Sequence, residues 1–478
     1  MRFRTRGTPL RRASTAWLFV LFACAASPAF ADDPLLPPPS PAVIAVPVSA
    51  PVGAPTPPPS MPDKPLDVRD PPFAGDFSWL NGSNRQPASL LTVGPVVMSL
   101  YVDAFYAWQF SQPIDHTIFP TTTAPRHNEL GFNLASVGIE LPPNAIDTPR
   151  GGPIGQLSLQ YGAITQAVGG QDTTVNRGFF LSNTALQLIR TASAGWHFHA
   201  LHGVNLEFGI FPSYVGMESY LPQENWNYTH PFLSDFTPYY FYGGRAQLYL
   251  TAKTKLELWV VNGWQTYGQW QEAKSGGYLF NWRPNERLSL SSVVYVGQTS
   301  PADSGAIRYY TDSYGELQYY RGEKGSFFTS SAVCLVADVG YQARTLAPGG
   351  PMTGASLTDR TEFGDGWAVT FRGDMYYDET RAVTTTLPVG SPYTLPDATK
   401  PFVGGGFATT LDFLPSPWLL TRLEYVHRAA NVPFFSGHGG ITGNGPDGTV
   451  NSSPFAPAFA PDLRRSDDRI VANVTLRL

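Results

Sequence analysis

Trp418-Leu419-Leu420-Thr421-Arg422-Leu423-Glu424-Tyr425-Val426-His427-Arg428 is the stretch that decides the fold. Side chains alternate across an extended strand, so Leu419, Leu423 and Tyr425 fall on one face and Arg422, Glu424 and Arg428 on the other. The same period returns along the chain. Leu256, Leu258 and Val260 oppose Lys255, Glu257 and Trp259, while Val369, Phe371 and Met375 oppose Thr370, Arg372, Asp374 and Asp378. Near the end, Ile470, Ala472, Val474, Leu476 and Leu478 oppose Arg469, Asn473, Thr475 and Arg477. Each segment has one greasy face and one wet face.

A soluble β-sandwich alternates too, so further features must choose. From about residue 96 onward, strand-like segments follow one another with almost no helical period. Aromatics cluster at segment ends, as in Tyr239-Tyr240-Phe241-Tyr242, Tyr319-Tyr320 and Tyr376-Tyr377, where amphipathic rings suit a membrane–water boundary. Connections alternate in length. Ala252-Lys253-Thr254, Arg283-Pro284-Asn285, Gly322–Gly325 and Pro415-Ser416-Pro417 are short, whereas 215–238, 298–311 and 431–467 are long and polar. Short turns on one side and long loops on the other characterise outer-membrane barrels. Keeping that rhythm between 327–343 and 367–380 requires a weakly patterned strand near 353–363, closing at Gly364-Asp365-Gly366. The count is then sixteen, within a range of 14–18, which predicts an all-β transmembrane antiparallel barrel over 96–478. The 142–153 connection is long for the short-turn side.

Composition agrees. Of 478 residues 42% are apolar, 13% aromatic and only 14% charged, against roughly 25% charged in ordinary soluble domains. Mean hydropathy is −0.14, and no apolar run approaches the ~18 residues of a helical span. Arg2, Arg4, Arg6, Arg11 and Arg12 precede an apolar stretch, Ala16 to Ala26, and then Ala29-Phe30-Ala31, which reads as a signal peptide over 1–31. A lipoprotein site at Leu21-Phe22-Ala23-Cys24 has a bulky Phe22 where small residues are preferred, and Arg11-Arg12 lacks the rest of a twin-arginine consensus. Cleavage leaves 27 basic against 37 acidic residues and Cys334 as the lone cysteine. An acidic exported chain is not built for nucleic acid. Residues 32–72 hold 15 prolines, so they read as a disordered periplasmic linker, with 73–95 a short lead-in.

A barrel leaves no backbone edge unpaired in hydrocarbon, and sixteen strands enclose water rather than a packed core. The alternation puts Asp103, Glu140, Glu207, Glu257, Glu316, Asp338, Asp374 and Glu424 inside, with Arg245, Lys255, Arg287, Arg372, Arg422 and Arg428. Both signs in comparable number fit a charged constriction that sorts permeating solutes, or cross-strand pairs that brace the wall. Catalysis has little support: no Gly-x-Ser-x-Gly elbow occurs, and Gly322–Ser326 is a hairpin turn rather than a phosphate loop. His197, His199 and His202 cluster at a short turn without a nearby carboxylate, and Asn444 to Asn451 resembles a calcium loop in composition only. No metal or other cofactor is implied. The 73–95 segment is too short for the plug of an energy-coupled receptor.

Gly209-Ile210-Phe211, Gly216-Met217-Glu218, Asn225 to Ser234, Pro238, Gly243-Gly244-Arg245 and Val261-Asn262-Gly263-Trp264 follow one another in an order that resembles the OmpL-like β-barrel porins of Gram-negative outer membranes. Arg422-Leu423-Glu424-Tyr425 is similar to that family's penultimate strand. The resemblance implies an outer-membrane channel for passive diffusion of small hydrophilic solutes. Its partners would be outer-membrane lipid and those solutes, with a homo-oligomer by analogy to porins of this strand number. It brings no catalytic residues. Leu478 stands where such barrels commonly end in an aromatic, and the proline-rich preface lies outside the pattern. The runner-up function is a non-conducting envelope protein tying the outer membrane to the cell wall. Trp264 is expected to anchor at the membrane interface. The 215–238 loop, with Trp226, Tyr228, Phe232 and Phe236, either folds inward and narrows the pore or closes over the rim.

Overall fold

The computed structural model describes residues 91–143, 148–169, 172, 174, 186–219, 221–251, 253–269, 272–299, 303–384, 399–442 and 461–478. The expected signal peptide, the proline-rich segment, most of the lead-in and the calcium-like stretch at 444–451 lie outside the described residues. Sixteen long strands form the fold. They are β1 (Val96–Gln109), β2 (Leu130–Leu141), β3 (Gly152–Tyr161), β4 (Ile189–Phe198), β5 (Val204–Pro212), β6 (Tyr240–Thr251), β7 (Thr254–Val261) and β8 (Ser275–Asn285). Then come β9 (Leu288–Gln298), β10 (Ile307–Arg321), β11 (Phe328–Gln342), β12 (Gly350–Phe363), β13 (Trp367–Asp378), β14 (Phe402–Ser416), β15 (Leu419–Ala430) and β16 (Ser466–Arg477). Each pairs antiparallel with its chain neighbours, and β16 returns to β1 from Arg469↔Gln109 to Arg477↔Tyr101. Leu478 and Leu100 exchange both backbone hydrogen bonds at 2.9 Å, completing the closure. The barrel therefore has no free edge for lipid to face.

The weakly patterned strand is present as β12. It pairs with β13 from Met352↔Asp378 to Phe363↔Trp367, and the turn between them holds Gly364 at φ 56° and Gly366 at φ 83°. A side chain at Gly366 would also meet the Leu414 carbonyl oxygen 2.2 Å from its Cβ. Only glycine meets both conditions without strain. All the connections at this end are short, 142–151 being the longest, while those at the other end include 110–129, 162–188, 213–239 and 431–465.

Outward residues are apolar and uncovered. Leu258, Phe371, Met375, Leu423 and Val474 are exposed, while the neighbouring Glu257, Arg372, Glu424 and Asn473 are buried. Among the described residues no helix is long and apolar enough to cross a membrane. Aromatic rings gather at the short-turn rim. Trp367 stacks on Phe413 at 4.5 Å, and Phe327, Phe328 and Phe363 touch one another, which fits an interfacial girdle. The Tyr239–Tyr242 quartet does not belong to it. Tyr239, Tyr240 and Phe241 are buried inside, with Tyr240 stacked on Tyr267 at 4.3 Å.

The lipid-facing assignment has a direct test. Leu423→Arg, in the middle of β15, is expected to destabilise the membrane-inserted barrel by about 2–4 kcal/mol. Denaturant titration into phospholipid vesicles measures this, and an unmoved midpoint would show that this face does not meet acyl chains.

Candidate functional site

Residues 213–239, between β5 and β6, form a strap that crosses the interior rather than closing over the rim. Trp226, Tyr228, Phe232 and Leu233 are each 3% exposed or less. Its two ends are tied where it leaves the wall, Ser213 N donating to Tyr239 O at 3.0 Å. The strap contains a 3-10 turn (Pro222–Glu224) and a single helical turn (Phe232–Asp235), so much of its backbone lacks regular partners. Buried backbone groups need partners, and the inward charges of the wall supply them.

Glu424 on β15 accepts Tyr228 N at 2.6 Å and Thr229 N at 3.0 Å, with Thr410 Oγ1 at 2.7 Å. Asp374 on β13 accepts Phe232 N at 3.1 Å, at the start of the helical turn. Arg422 donates to the carbonyls of Pro222 (2.6 Å) and Asn225 (2.5 Å), Arg372 to that of Thr229, and Arg428 to that of His230. Arg428 also pairs with Asp235 at 2.9 Å. Asp103 on β1 accepts the Tyr228 hydroxyl at 3.0 Å, with Asn133, Asn473 and Thr475 as further donors. Apolar contacts complete the seat. Phe232 packs on Phe402 at 5.7 Å and Phe236 on Tyr376 at 5.1 Å, and Met217 Sδ lies 3.1 Å from Cys334 Sγ. Most of these contacts are with β10–β16 and β1, while Tyr214 stacks on Trp259 of β7 at 4.7 Å and donates to the Val294 carbonyl of β9 at 3.2 Å.

The other expected interior charges are held by local contacts within the wall. Glu207 and Arg245 are cross-strand partners 2.8 Å apart, and the guanidinium also covers the Phe211 ring at 4.5 Å. Lys255 and Glu257 sit 2.8 Å apart on β7, with Gln247 and Trp259 donating to the same carboxylate. Asp338 accepts the Tyr310 hydroxyl at 2.6 Å, and Glu316 is fully buried opposite Cys334. Arg287 differs from expectation. It lies exposed on the two-residue turn between β8 and β9, where the strand period no longer governs direction, and Arg283 is the buried arginine at this end. Trp264 is a second correction. It packs edge-on against the buried Tyr295 at 4.9 Å and Tyr310 at 5.2 Å, under the Arg308 guanidinium, because β7 ends at Val261 and the chain turns inward beyond it.

Sequence reading missed several interior residues. Asp412 links Arg360 (2.6 Å) to Arg422 (3.0 Å), Arg308 and Arg283 are each buried, and Arg469, which the alternation puts on the polar face of its strand, is buried too. Strict alternation along β8, β10, β12, β14 and β16 carries the signal for all of these. His197 Nδ1 lies 2.7 Å from Asn205 Oδ1 and His199 Nε2 lies 2.9 Å from the Thr148 carbonyl. Among the described residues no group of three or more His, Cys, Asp or Glu is placed to hold a metal ion.

The strap leaves one side of the interior open. Between it and β1–β4 lies a cleft of about 40 Å³, bordered by Ser99, Glu140, Ser158 and Arg190 on the wall and by Glu218 and Glu224 on the strap. None of the thirteen charges Asp103, Glu207, Arg245, Lys255, Glu257, Arg287, Glu316, Asp338, Arg372, Asp374, Arg422, Glu424 and Arg428 borders that space. Glu224 accepts the Ser219 hydroxyl at 2.5 Å. Burial lifts the Glu218 carboxyl to about 8, against the pull of Arg372 at 3.8 Å.

Three solved structures are similar to this chain. The anion-selective porin from Comamonas acidovorans superposes with a TM-score of 0.49 at 8% identity, over 80% of this chain and 99% of that one. The outer membrane channel DcaP of Acinetobacter baumannii gives 0.47 at 11% identity, over 82% and 100%. OmpT of Vibrio cholerae in its trimer form gives 0.47 at 8%, over 81% and 100%. No curated protein matches the sequence. The family described as "Putative beta-barrel porin-2, OmpL-like" matches residues 95–452, most of the barrel and the whole strap. With three-quarters of its length in that match, a closed sixteen-stranded wall and a polar, strapped interior, this chain belongs to the OmpL-like β-barrel porins of the outer membrane.

Proposed function

We propose that small hydrophilic solutes diffuse passively through the space between the strap and the β1–β4 wall, and that this passage, without chemistry, is what the chain performs. The observation that carries the reading is the one-sided seat of the strap. Its contacts with Arg372, Asp374, Arg422, Glu424 and Arg428 hold it chiefly to one wall, while hydroxyl, amide and charged groups, interspersed with Val97, Ile139 and Leu221, border the space opposite. Water and dissolved solutes are stable next to such a lining, and polar side chains along a barrel lumen set what passes.

In this reading the interior charges expected to line the pore act chiefly by fixing the strap and bracing the wall, and so set the width of the path. Outer-membrane lipid is the partner of the outer face, and assembly with further copies of the chain is compatible with it. Planar-bilayer recording of the purified chain tests the function: steady ohmic steps are expected, together with uptake of small sugars by reconstituted vesicles. A silent bilayer with no sugar uptake would reject passage and favour the envelope tether.

A further inference from the structure

We propose that the space between the strap and β1–β4 passes cations in preference to anions, and that Glu218 sets the strength of that preference. The proposal rests on this space being the conducting path. Three carboxylates border it, Glu218 and Glu224 from the strap and Glu140 from β2, against the single guanidinium of Arg190 on β4. Arg372 reaches Glu218 at 3.8 Å and Arg477 of β16 acts on Glu224, while the other basic residues nearby are engaged by wall carboxylates and by the strap backbone. Arg372 lies against Asp374, Arg422 against Asp412 and Arg428 against Asp235, and their other N–H groups point at strap carbonyls. The strap thus carries Glu218 and Glu224 to the border of the open side, while its own backbone engages most of the basic groups behind it. Low-dielectric walls concentrate the field of such charges, raising the local concentration of ions of opposite sign.

Glu218 is singled out by its surroundings. Its Oε2 is buried without a hydrogen-bond partner. Arg372 and Asp374 face it from β13, and Asp235 and Tyr239 from the strap. Glu224 of the strap, Glu140 of β2 and Arg190 of β4 share the same open space. Because burial lifts its titration to about 8, Glu218 is mostly neutral at pH 6 and mostly charged at pH 9. Raising the pH therefore adds one negative charge to the rim of the path.

The test is the reversal potential of the purified chain in a planar bilayer across a tenfold KCl gradient, at pH 6 and pH 9. Wild type is expected to favour K⁺ at both values, with the permeability ratio rising about two- to threefold at pH 9 as the local field strengthens. Glu218→Gln is expected to hold the pH 6 ratio at both values, and Arg190→Gln to raise the ratio already at pH 6. Anion preference in wild type, no pH dependence, or a pH shift that survives in Glu218→Gln overturns the proposal. If Glu218→Gln fails to insert, the wild-type pH series and Arg190→Gln still decide. Ohmic current with any overturning result removes the cation filter and leaves the channel standing, whereas a silent bilayer removes both.

Discussion

Deleting residues 222–236 is expected to raise single-channel conductance about two- to threefold, because the strap fills much of a lumen that sixteen strands make wide enough for a water column. The deletion should be tolerated. All sixteen strand pairs close without the strap, and its two ends already meet through Ser213 N and Tyr239 O at 3.0 Å. Glu424, Arg372, Arg422 and Arg428 would lose their strap partners but gain water, so no buried charge is stranded. The shortened chain should still refold into vesicles and run as a barrel. An unchanged conductance in a folded variant would show that current does not pass alongside the strap.

Glu424→Ala is expected to have the largest effect of any single substitution on the seating of the strap. The carboxylate is fully buried and accepts Tyr228 N, Thr229 N, the Thr229 hydroxyl and the Thr410 hydroxyl. Alanine removes the acceptor and leaves two backbone N–H groups without a partner inside the barrel. Breaking a buried charged network in this way costs about 3–5 kcal/mol, of which unsatisfied donors account for roughly 1–3 kcal/mol each. The strap would detach locally before the wall unfolds, since the register of β15 with β14 and β16 does not depend on the strap. Conductance should become larger and noisier, with faster proteolysis near Tyr228. Glu424→Gln keeps one acceptor oxygen and should fall between. Quiet, wild-type current from Glu424→Ala would mean that the strap is held by its aromatic seat alone.

Much of the barrel is legible from side-chain period, because lipid outside and water inside leave each strand no freedom about which face is apolar. Leu423 outward and Glu424 inward follow from adjacency alone. The weakly patterned β12 is legible only through the rhythm of turns, and Gly364-Asp365-Gly366 fixes its end. The rule stops at strand ends. Arg287 and Trp264 sit one step beyond regular pairing, where direction is set by what the next segment packs against. The Tyr239–Tyr242 quartet has the composition of an interfacial belt, yet three of its rings are enclosed by the strap and the 262–274 connection.

The site was less legible than the wall. That Asp103, Arg372, Arg422, Glu424 and Arg428 point inward is a local property of their strands, and the sequence carries it. Whether they meet water or backbone depends on where residues 213–239 go. Glu218, Glu224 and Arg190 come to border one space only because of where the strap is seated. Alternation along a strand is determined by covalent geometry and solvent on two faces, so the sequence by itself determined a membrane barrel with a polar interior. The path through it was decided by contacts between residues some two hundred positions apart, such as Arg422 with Pro222 and Glu424 with Tyr228, which no local period encodes.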